Sequence, residues 1–425
     1  MLLLAAVVGC SSGDETVPDN KAQNETGNKT ETVFVDDPGP ALTAEQETMF
    51  NENVNGFTFN MFRALVNKNP GQSIVSSPLS VAAVLAMLND GAMGKTREEL
   101  LQVLGFGEAK TRALNEYFQK QMNMENKYDT KLQMSNAVFA RQGFEFKPAF
   151  VEDMKKYYDA PAEVLDFSSP DAVDHINSWC SGHTNGMIPK IVDQLSPDAL
   201  SVLLNAIYFN GRWAMPFVED LTRSERFTLE DKTQKSVQMM HLTMPMIYQE
   251  NDLFQALCME YSDAGYYMTI LLPTPGKKVS DIVERMTEEW WKELNTKYVY
   301  SMIKGKEVVL SLPRFTVETK DEKIQNLKTV LSELGSPSMF NPEKAQFPNI
   351  LTTAGLYVSQ IIQKATIDVN ESGTIAAATT ASTLDGESNA LDILTPIYFT
   401  ADHPFVYVIS NMKTGVVYFI GTYQG

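Results

Sequence analysis

From Thr43 to Gly425 the sequence offers no place to divide it, because no Gly/Ser linker, no second shift of composition and no internal repeat interrupts it. At about 150 residues per domain, a chain of 425 residues would be two or three domains by length alone. With no boundary to use, that length must belong to one large body. The raw material is present: 44% of the residues are hydrophobic and 10% aromatic, too apolar for wholesale disorder. A net charge of -18 excludes a generic nucleic-acid binder and argues against a heparin-type polyanion partner. The basic residues Lys110, Arg112, Lys120, Lys127 and Lys131 are dispersed among acids, as on a solvated helix face. Three cysteines, Cys10, Cys180 and Cys258, build neither a disulfide framework nor a Cys-rich zinc site, and the histidines show no HExxH spacing. No metal and no cofactor are expected.

Before the body lies a different kind of sequence. Leu2 to Val8 is a short apolar run ending in Val7-Val8-Gly9-Cys10, too short to span a bilayer and suited to the core of a signal peptide. It resembles a bacterial lipobox, which implies a signal peptide over 1–10 and lipidation of Cys10, an anchor of several acyl chains. Residues 11–43 read as a disordered polar tether, spanning on the order of 30 Å as a flexible coil. The expected setting is an exported outer-membrane lipoprotein, on the cell surface or the periplasmic face, with a monomeric body over 44–425.

Within the body, helical spacing comes first. Phe57, Met61, Ala64 and Leu65 predict a helix over 52–66; Ser77-Pro78 opens a helix at Leu79–Leu88; Thr96 with Glu99 reads as a capping box before Leu100. Strand-like runs follow at Ser201–Phe209, Met268–Leu272, Val308–Leu312, Leu356–Val369, Phe405–Ile409 and Val416–Thr422. Helices alternate irregularly with antiparallel-looking strands, which indicates an α+β fold rather than a doubly wound sheet.

Between Asn205 and Phe217 the sequence NAIYFNGRWAMPF reads as a buried strand that ends at an Asn210-Gly211 turn with Trp213 and Phe217 packed beneath. This segment resembles a signature of the serpins, the serine protease inhibitors. Further segments resemble the family in the same order: Ser76 to Ser80 (SSPLS), Leu88 to Ala92 (LNDGA), Ile176 to Trp179 (INSW), Leu312 to Phe315 (LPRF), Ala401 to Phe405 (ADHPF) and Phe419 to Thr422 (FIGT). The resemblance runs from about residue 46 to the C-terminus. It implies a single large serpin domain with three β-sheets, about eight or nine helices and an exposed C-terminal reactive loop.

The stretch Ile367 to Thr383 (IDVNESGTIAAATTAST) carries nothing bulky after Ile375 until Leu384. On a strand, Thr374, Ala376, Ala378, Thr380, Ser382 and Leu384 share one face and Ile375, Ala377, Thr379, Ala381, Thr383 and Asp385 the other. Such a segment can enter a sheet without burying a charge, although an isolated stretch of this kind would read as a flexible linker. It resembles the inhibitory serpin hinge, here Glu371, Gly373, Thr374, Ala376, Ala377 and Ala378. Ile375 departs from the pattern, since that position is usually Glu in inhibitory serpins. Gln363 aligns where many serpins carry a His in the shutter network, with Ser77 and Asn205 as its expected neighbours; Gln still donates and accepts. Arg314 and Glu371 match a pair at the top of the sheet, expected to be exposed and stabilising by less than about 1 kcal/mol. Trp213 is the further residue expected there.

Family spacing, counting Glu371 as position one, puts the reactive bond at position seventeen, between Glu387 and Ser388. A carboxylate bait requires a protease pocket offering Arg, Lys or His. The stretch from Ser388 to Pro404 is longer than usual for the family, so Leu384, Leu391 and Ile393 remain alternative reactive positions, suited to elastase- or chymotrypsin-like enzymes. The function implied is inhibition of a serine protease, with cysteine proteases second, through a covalent complex. The alternative is a non-inhibitory serpin acting as a carrier or chaperone. An enzyme is not expected: no GxSxG elbow occurs and His403 lies in a family structural motif.

Overall fold

The computed structural model describes residues 39–123, 130–262, 265–301, 306–319, 326–374 and 396–425. Helix α1 (Ala44–Lys68) starts well before residue 52, because Thr43 and Gln46 form a reciprocal capping box that satisfies its first amides. Of the tether expected over 11–43, residues 39–43 lie against the body, where Leu42 packs on the core and its amide donates to Glu116 at 2.8 Å. After β1 (Ile74–Ser76), Ser77 caps α2 (Pro78–Gly91), whose Leu79 to Leu88 run is buried on all sides. A helix apolar all round belongs in the middle of a molecule, and α2 touches both sheets described below.

Helix α3 (Gly94–Leu104) begins at Met93 with no side-chain cap. The expected capping box is therefore wrong. Thr96 Oγ1 instead accepts from the Gln346 amide at 3.0 Å, and buried Glu99 accepts from the amide and hydroxyl of Ser338, both at 2.9 Å. Long-range partners outcompeted the local pair. Then follow α4 (Thr111–Met122), β2 (Lys131–Arg141), α5 (Pro148–Tyr158), β3 (Ala162–Leu165), α6 (Pro170–His183), β4 (Ser201–Arg212), β5 (Arg223–Thr228), β6 (Gln234–Glu250), β7 (Phe254–Glu260), β8 (Tyr266–Pro273), α7 (Val279–Arg285), α8 (Glu288–Ser301), β9 (Lys306–Pro313), β10 (Phe315–Glu318), α9 (Leu327–Leu334), β11 (Gln360–Asn370), β12 (Gly373–Thr374), β13 (Ile397–Thr400), β14 (Phe405–Asn411) and β15 (Val417–Tyr423).

One sheet runs β10-β11-β12-β4-β2-β3, with β11 also pairing β4 directly. The other strands form an array, β1-β15-β14-β8-β7-β6-β9-β13, with β5 on β6. The long β6 joins two sheets: Gln234 to Met246 pairs with β5 and β9, Ile247 to Glu250 with β7. The α+β, three-sheet serpin-like architecture is thus present, two of its sheets sharing a strand. Not every pair is antiparallel; β11–β4, β13–β9 and β2–β3 are parallel. Two strand ends also differ from expectation. β11 starts at Gln360, because Leu356 and Val358 are buried in irregular chain, Val358 donating to the Met339 carbonyl at 2.8 Å. β4 does not turn at Asn210-Gly211 but continues through Arg212.

Strand β4 is the hub. Leu203, Ile207 and Phe209 face the central core, while Val202, Leu204 and Ala206 face α6 through Ile176 and Cys180. A strand covered on both faces reads as a continuous apolar run. Cys180 and Cys258 are free and buried, and burial pushes both thiols up to about 12, so they stay protonated. Among the described residues no helix is long and apolar enough to cross a membrane and no His/Cys/Asp/Glu group is arranged to hold a metal.

Candidate functional site

The parallel seam between β11 and β4 is closed at one end and open at the other. Gln360 to Thr366 pairs with Val202 to Tyr208. Above that the strands part, the chain turns at Glu371 and Ser372, and β12 comes back down between them. β12 pairs antiparallel with both walls, Thr374 opposite Val369 and Gly211, and Gly373 opposite Asn370 and Arg212. Only glycine fits at 373, since a Cβ there would lie 2.1 Å from the Gly211 carbonyl oxygen. Thr374 is fully buried, its hydroxyl 2.7 Å from that of Tyr261. Tyr261 stacks on Trp213 at 4.5 Å between centroids, and burial pushes its phenol far above the usual range, so it remains a neutral hydrogen-bonding group.

A clamp holds the turn. The Trp213 amide donates to the Ser372 carbonyl at 3.0 Å, the Phe217 amide to the Glu371 carbonyl at 2.8 Å, and Trp213 Nε1 to the Asn370 carbonyl at 2.9 Å. Arg314 Nη2 donates to Glu371 Oε1 at 2.5 Å and Thr222 Oγ1 to the same oxygen at 2.6 Å. The pair is not exposed as expected: Glu371 is 3% exposed, although the Arg314 side chain is about half in solvent. Burial works against the Glu371 carboxylate, but the bonds from Arg314 and Thr222 outweigh it and hold its pKa below the ordinary range.

Lower down, Gln363 of β11 stands opposite Asn205 of β4. Gln363 Oε1 accepts from the Ser76 hydroxyl at 2.8 Å and the Ser77 amide at 3.1 Å. Its Nε2 lies 2.8 Å from the Ser77 carbonyl, 2.9 Å from Ser80 Oγ and 2.9 Å from Asn205 Oδ1. Asn205 Nδ2 donates to Asn136 Oδ1 of β2 at 2.7 Å. This network, buried throughout, ties α2, β11, β4 and β2 together. Buried polar groups hold only while partnered, so the seam is a specific lock rather than grease.

A family model described as "Serpin (serine protease inhibitor)" matches residues 52–424. The chain belongs to the serpin family. It is 32% identical over 86% of its length to an uncharacterized serpin-like protein of Methanosarcina acetivorans, covering 84% of that protein. It is 31% identical over 87% of its length to the leukocyte elastase inhibitor of Homo sapiens, covering 97% of it. The native state of the thermophilic serpin tengpin has the same fold, at TM-score 0.79 and 24% identity, with 89% of this chain and 94% of that one covered. So does human thyroxine-binding globulin in complex with thyroxine, at TM-score 0.78 and 25% identity, covering 89% and 99%. The family thus contains a protein named as a protease inhibitor and one named for a bound hormone.

In this serpin, Ser77, Asn205 and Gln363 form one cluster, while Glu371, Gly373, Thr374, Trp213 and Arg314 form another around the mouth above it. Ala376, Ala377, Ala378, Leu384, Glu387, Ser388, Leu391, Ile393 and Cys10 lie outside the described residues. Five participants escaped the sequence reading: Ser80, Asn136, Thr222, Ser76 and Tyr261. Ser76 and Ser80 sit inside a segment already singled out, and Asn136 is a buried polar residue in an apolar strand. Thr222 and Tyr261 carry no local signal, because only the register of distant strands brings them to the hinge. His403 has both ring nitrogens engaged, Nδ1 at 2.8 Å from Asp402 and Nε2 at 2.9 Å from the Pro273 carbonyl. A Glu225-His241-Ser311 row also occurs, with contacts of 3.0 and 3.1 Å, but Ser311 is mid-strand and buried rather than on an exposed turn.

Proposed function

We propose that this serpin is an inhibitor that acts as a suicide substrate: a serine protease cleaves its reactive loop, and the cut loop inserts between β11 and β4 before the acyl-enzyme can hydrolyse. The observation that carries this reading is the register of β12. Extended residue by residue, it opposes Ile375 to Asp368 and Thr383 to Gln360 on one side, and Ile375 to Asn210 and Leu384 to Ser201 on the other. The segment from Ile375 to Leu384, free of bulky side chains between its ends, therefore has the length of the strands that would flank it. Ala376, Ala378 and Thr380 would follow buried Thr374 on the core face, and Ile375 would lie on the opposite face, where its departure from the family pattern is harmless. Thr380 would arrive between Gln363 and Asn205. Its hydroxyl can replace the bond it breaks.

About ten newly inserted residues at roughly 1 kcal/mol per hydrogen bond, with apolar burial added, release on the order of 10 to 20 kcal/mol. A protease domain is held together by about 5 to 15 kcal/mol. Insertion is therefore strong enough to distort the protease, and losing one oxyanion donor alone slows deacylation about a hundredfold. The same register favours Glu387-Ser388 as the reactive bond. With Leu384 in the last row, Glu387 follows three residues on. Leu391 or Ile393 would add four to six residues of slack at about 3.3 Å each, and a slack tether does not pull. The partner is then a Glu- or Asp-preferring protease, with elastase-like enzymes the alternative through Leu384, Leu391 or Ile393. The lipidated Cys10 and its tether would hold a monomeric inhibitor at a membrane face outside the cytoplasm.

Incubation with a protease panel tests the proposal. The expected product is a complex that survives denaturing electrophoresis, with a released fragment whose N-terminus is Ser388. Fragments starting at Asp392 or Leu394 move the reactive bond. Clean cleavage without a complex would leave the carrier reading.

A further inference from the structure

The outer side of the clamp does something its inner side does not require. Among the described residues eight large hydrophobic side chains are exposed, and three of them, Met215, Val218 and Leu221, fall within one seven-residue stretch. Their neighbours Trp213 and Phe217 are buried, and both of those amides bond to the turn at Glu371-Ser372. The stretch is thus fixed from within, and its outward apolar residues are displayed on a rigid support. Rigid display lowers the ordering cost of binding. Met215 also lines a cavity of about 160 Å³ with Leu242, Met244, Pro245 and Met246, and methionine adapts readily to a partner's shape. An apolar patch left in water beside such a cavity marks an interaction surface.

Its position identifies the occupant. Trp213, at one wall of the cavity, stacks on Tyr261, which bonds Thr374, the last described residue before the loop. Met244, at another wall, stands in register with Val308, and Val308 with Ile397, at the start of β13 just beyond the loop. Two strand spacings, about 10 Å, separate Met244 from Ile397. Both ends of the 375–395 segment therefore flank the cavity. A protease engaged on that segment is joined to the body through two chain ends that both lie beside this cavity. Glu219 and Asp220 are exposed within the stretch, and the nearby exposed Arg223 is offset by its pair with Glu225 at 2.6 Å, so the local charge is negative, in a chain of net charge -18.

We propose that Met215, Val218 and Leu221, with the cavity that Met215 lines, form a second docking surface for the target protease, one that receives an apolar surface loop flanked by Lys or Arg beside the protease's cleft. This rests on the inhibitory reading for the identity of the partner. Apolar contact would slow dissociation of the encounter complex and the local negative charge would speed its formation at low salt.

The test compares the wild type with a Met215→Ser/Val218→Ser/Leu221→Ser variant and a Glu219→Gln/Asp220→Asn variant, all changes at exposed positions. The proteases are a panel of basic serine proteases, each used both active and with its active site blocked by a small irreversible inhibitor. The docking surface predicts that a blocked protease still binds the wild type, and that the triple variant binds it about tenfold more weakly at an unchanged melting temperature. With the active enzyme, complex formation slows by a similar factor while the stoichiometry of inhibition stays the same. The double variant loses most of the salt dependence. Covalent complexes forming equally fast with all three proteins would overturn the docking surface and leave the inhibitory reading standing. Binding of blocked proteases without any covalent complex would do the reverse. Absence of both would overturn both.

Discussion

The upper and lower halves of the β11–β4 seam are built on opposite principles. Above, the strands are already parted, and a two-residue strand sits between them under an ion pair, a stacked Trp and three hydrogen bonds to main-chain carbonyls. Below, they are joined directly, and the Gln363-Asn205 network crosses beneath them to α2 and β2. The upper half is a start held in check and the lower half a lock. A sheet meant only to be stable would be uniform; this one changes from direct β11–β4 pairing to strands parted by β12.

The largest expected effect comes from making the lower half unable to accept its guest. Thr380→Arg would bring a charge onto the core face between Gln363 and Asn205, where an unpaired charge costs several kcal/mol. Insertion should stall there and the variant should become a substrate: cleaved normally, it should yield at least tenfold less covalent complex on a denaturing gel. A normal yield would contradict the extended register. Next is the lock itself. Gln363→Ala strips partners from Ser76, Ser77, Ser80 and Asn205 at once and leaves a void, which should lower stability by about 2–4 kcal/mol in urea unfolding. Wild-type stability would show that the network is not what closes the seam.

The upper half should respond more mildly. Gly373→Ala drives a Cβ into the Gly211 carbonyl, and the relief available is to expel β12 and break the Tyr261-Thr374 contact. A loss of about 1–2 kcal/mol is expected, together with a change in Trp213 emission as its stack on Tyr261 loosens; an unchanged spectrum with unchanged stability would break the comparison. Smallest is the ion pair. Because the Glu371 pKa is lowered in the folded protein, its contribution is complete above the ordinary carboxylate range and disappears as pH falls through the lowered value. Half the pair stands in solvent, so no more than about 1 kcal/mol is at stake. Unfolding of the wild type should quicken as pH falls below the ordinary carboxylate range, while Glu371→Gln should show less pH dependence there; identical profiles would remove the clamp role.

What was legible in the sequence divides along the same seam. Gln363, Asn205, Ser77, Glu371, Arg314 and Trp213 stand in segments whose resemblance carried them, while the small-residue run after Thr374 lies outside the described residues. The partners that depend on register were not legible. Tyr261 and Thr222 meet the hinge only because β4 continues past Asn210-Gly211, a pair that locally reads as a turn. The burial of Glu371 was not legible for the same reason, since nothing in the sequence says that Phe217 and Thr222 fold over it. Thr96 and Glu99 show the converse error: a locally sound capping signal lost to Gln346 and Ser338, far along the chain. The long β6 went unread because adjacent Met239 and Met240 are both buried and Pro245 interrupts the alternation a half-buried strand should show.

The proposed inhibition requires the sheet to accept one more strand. The most direct measurement is the melting temperature of the wild-type chain before and after a single cut within residues 384–393. Insertion predicts a large rise, on the order of 20 °C or more given the roughly 10 kcal/mol released. A cleaved protein that melts where the intact one does, or below it, would contradict the account.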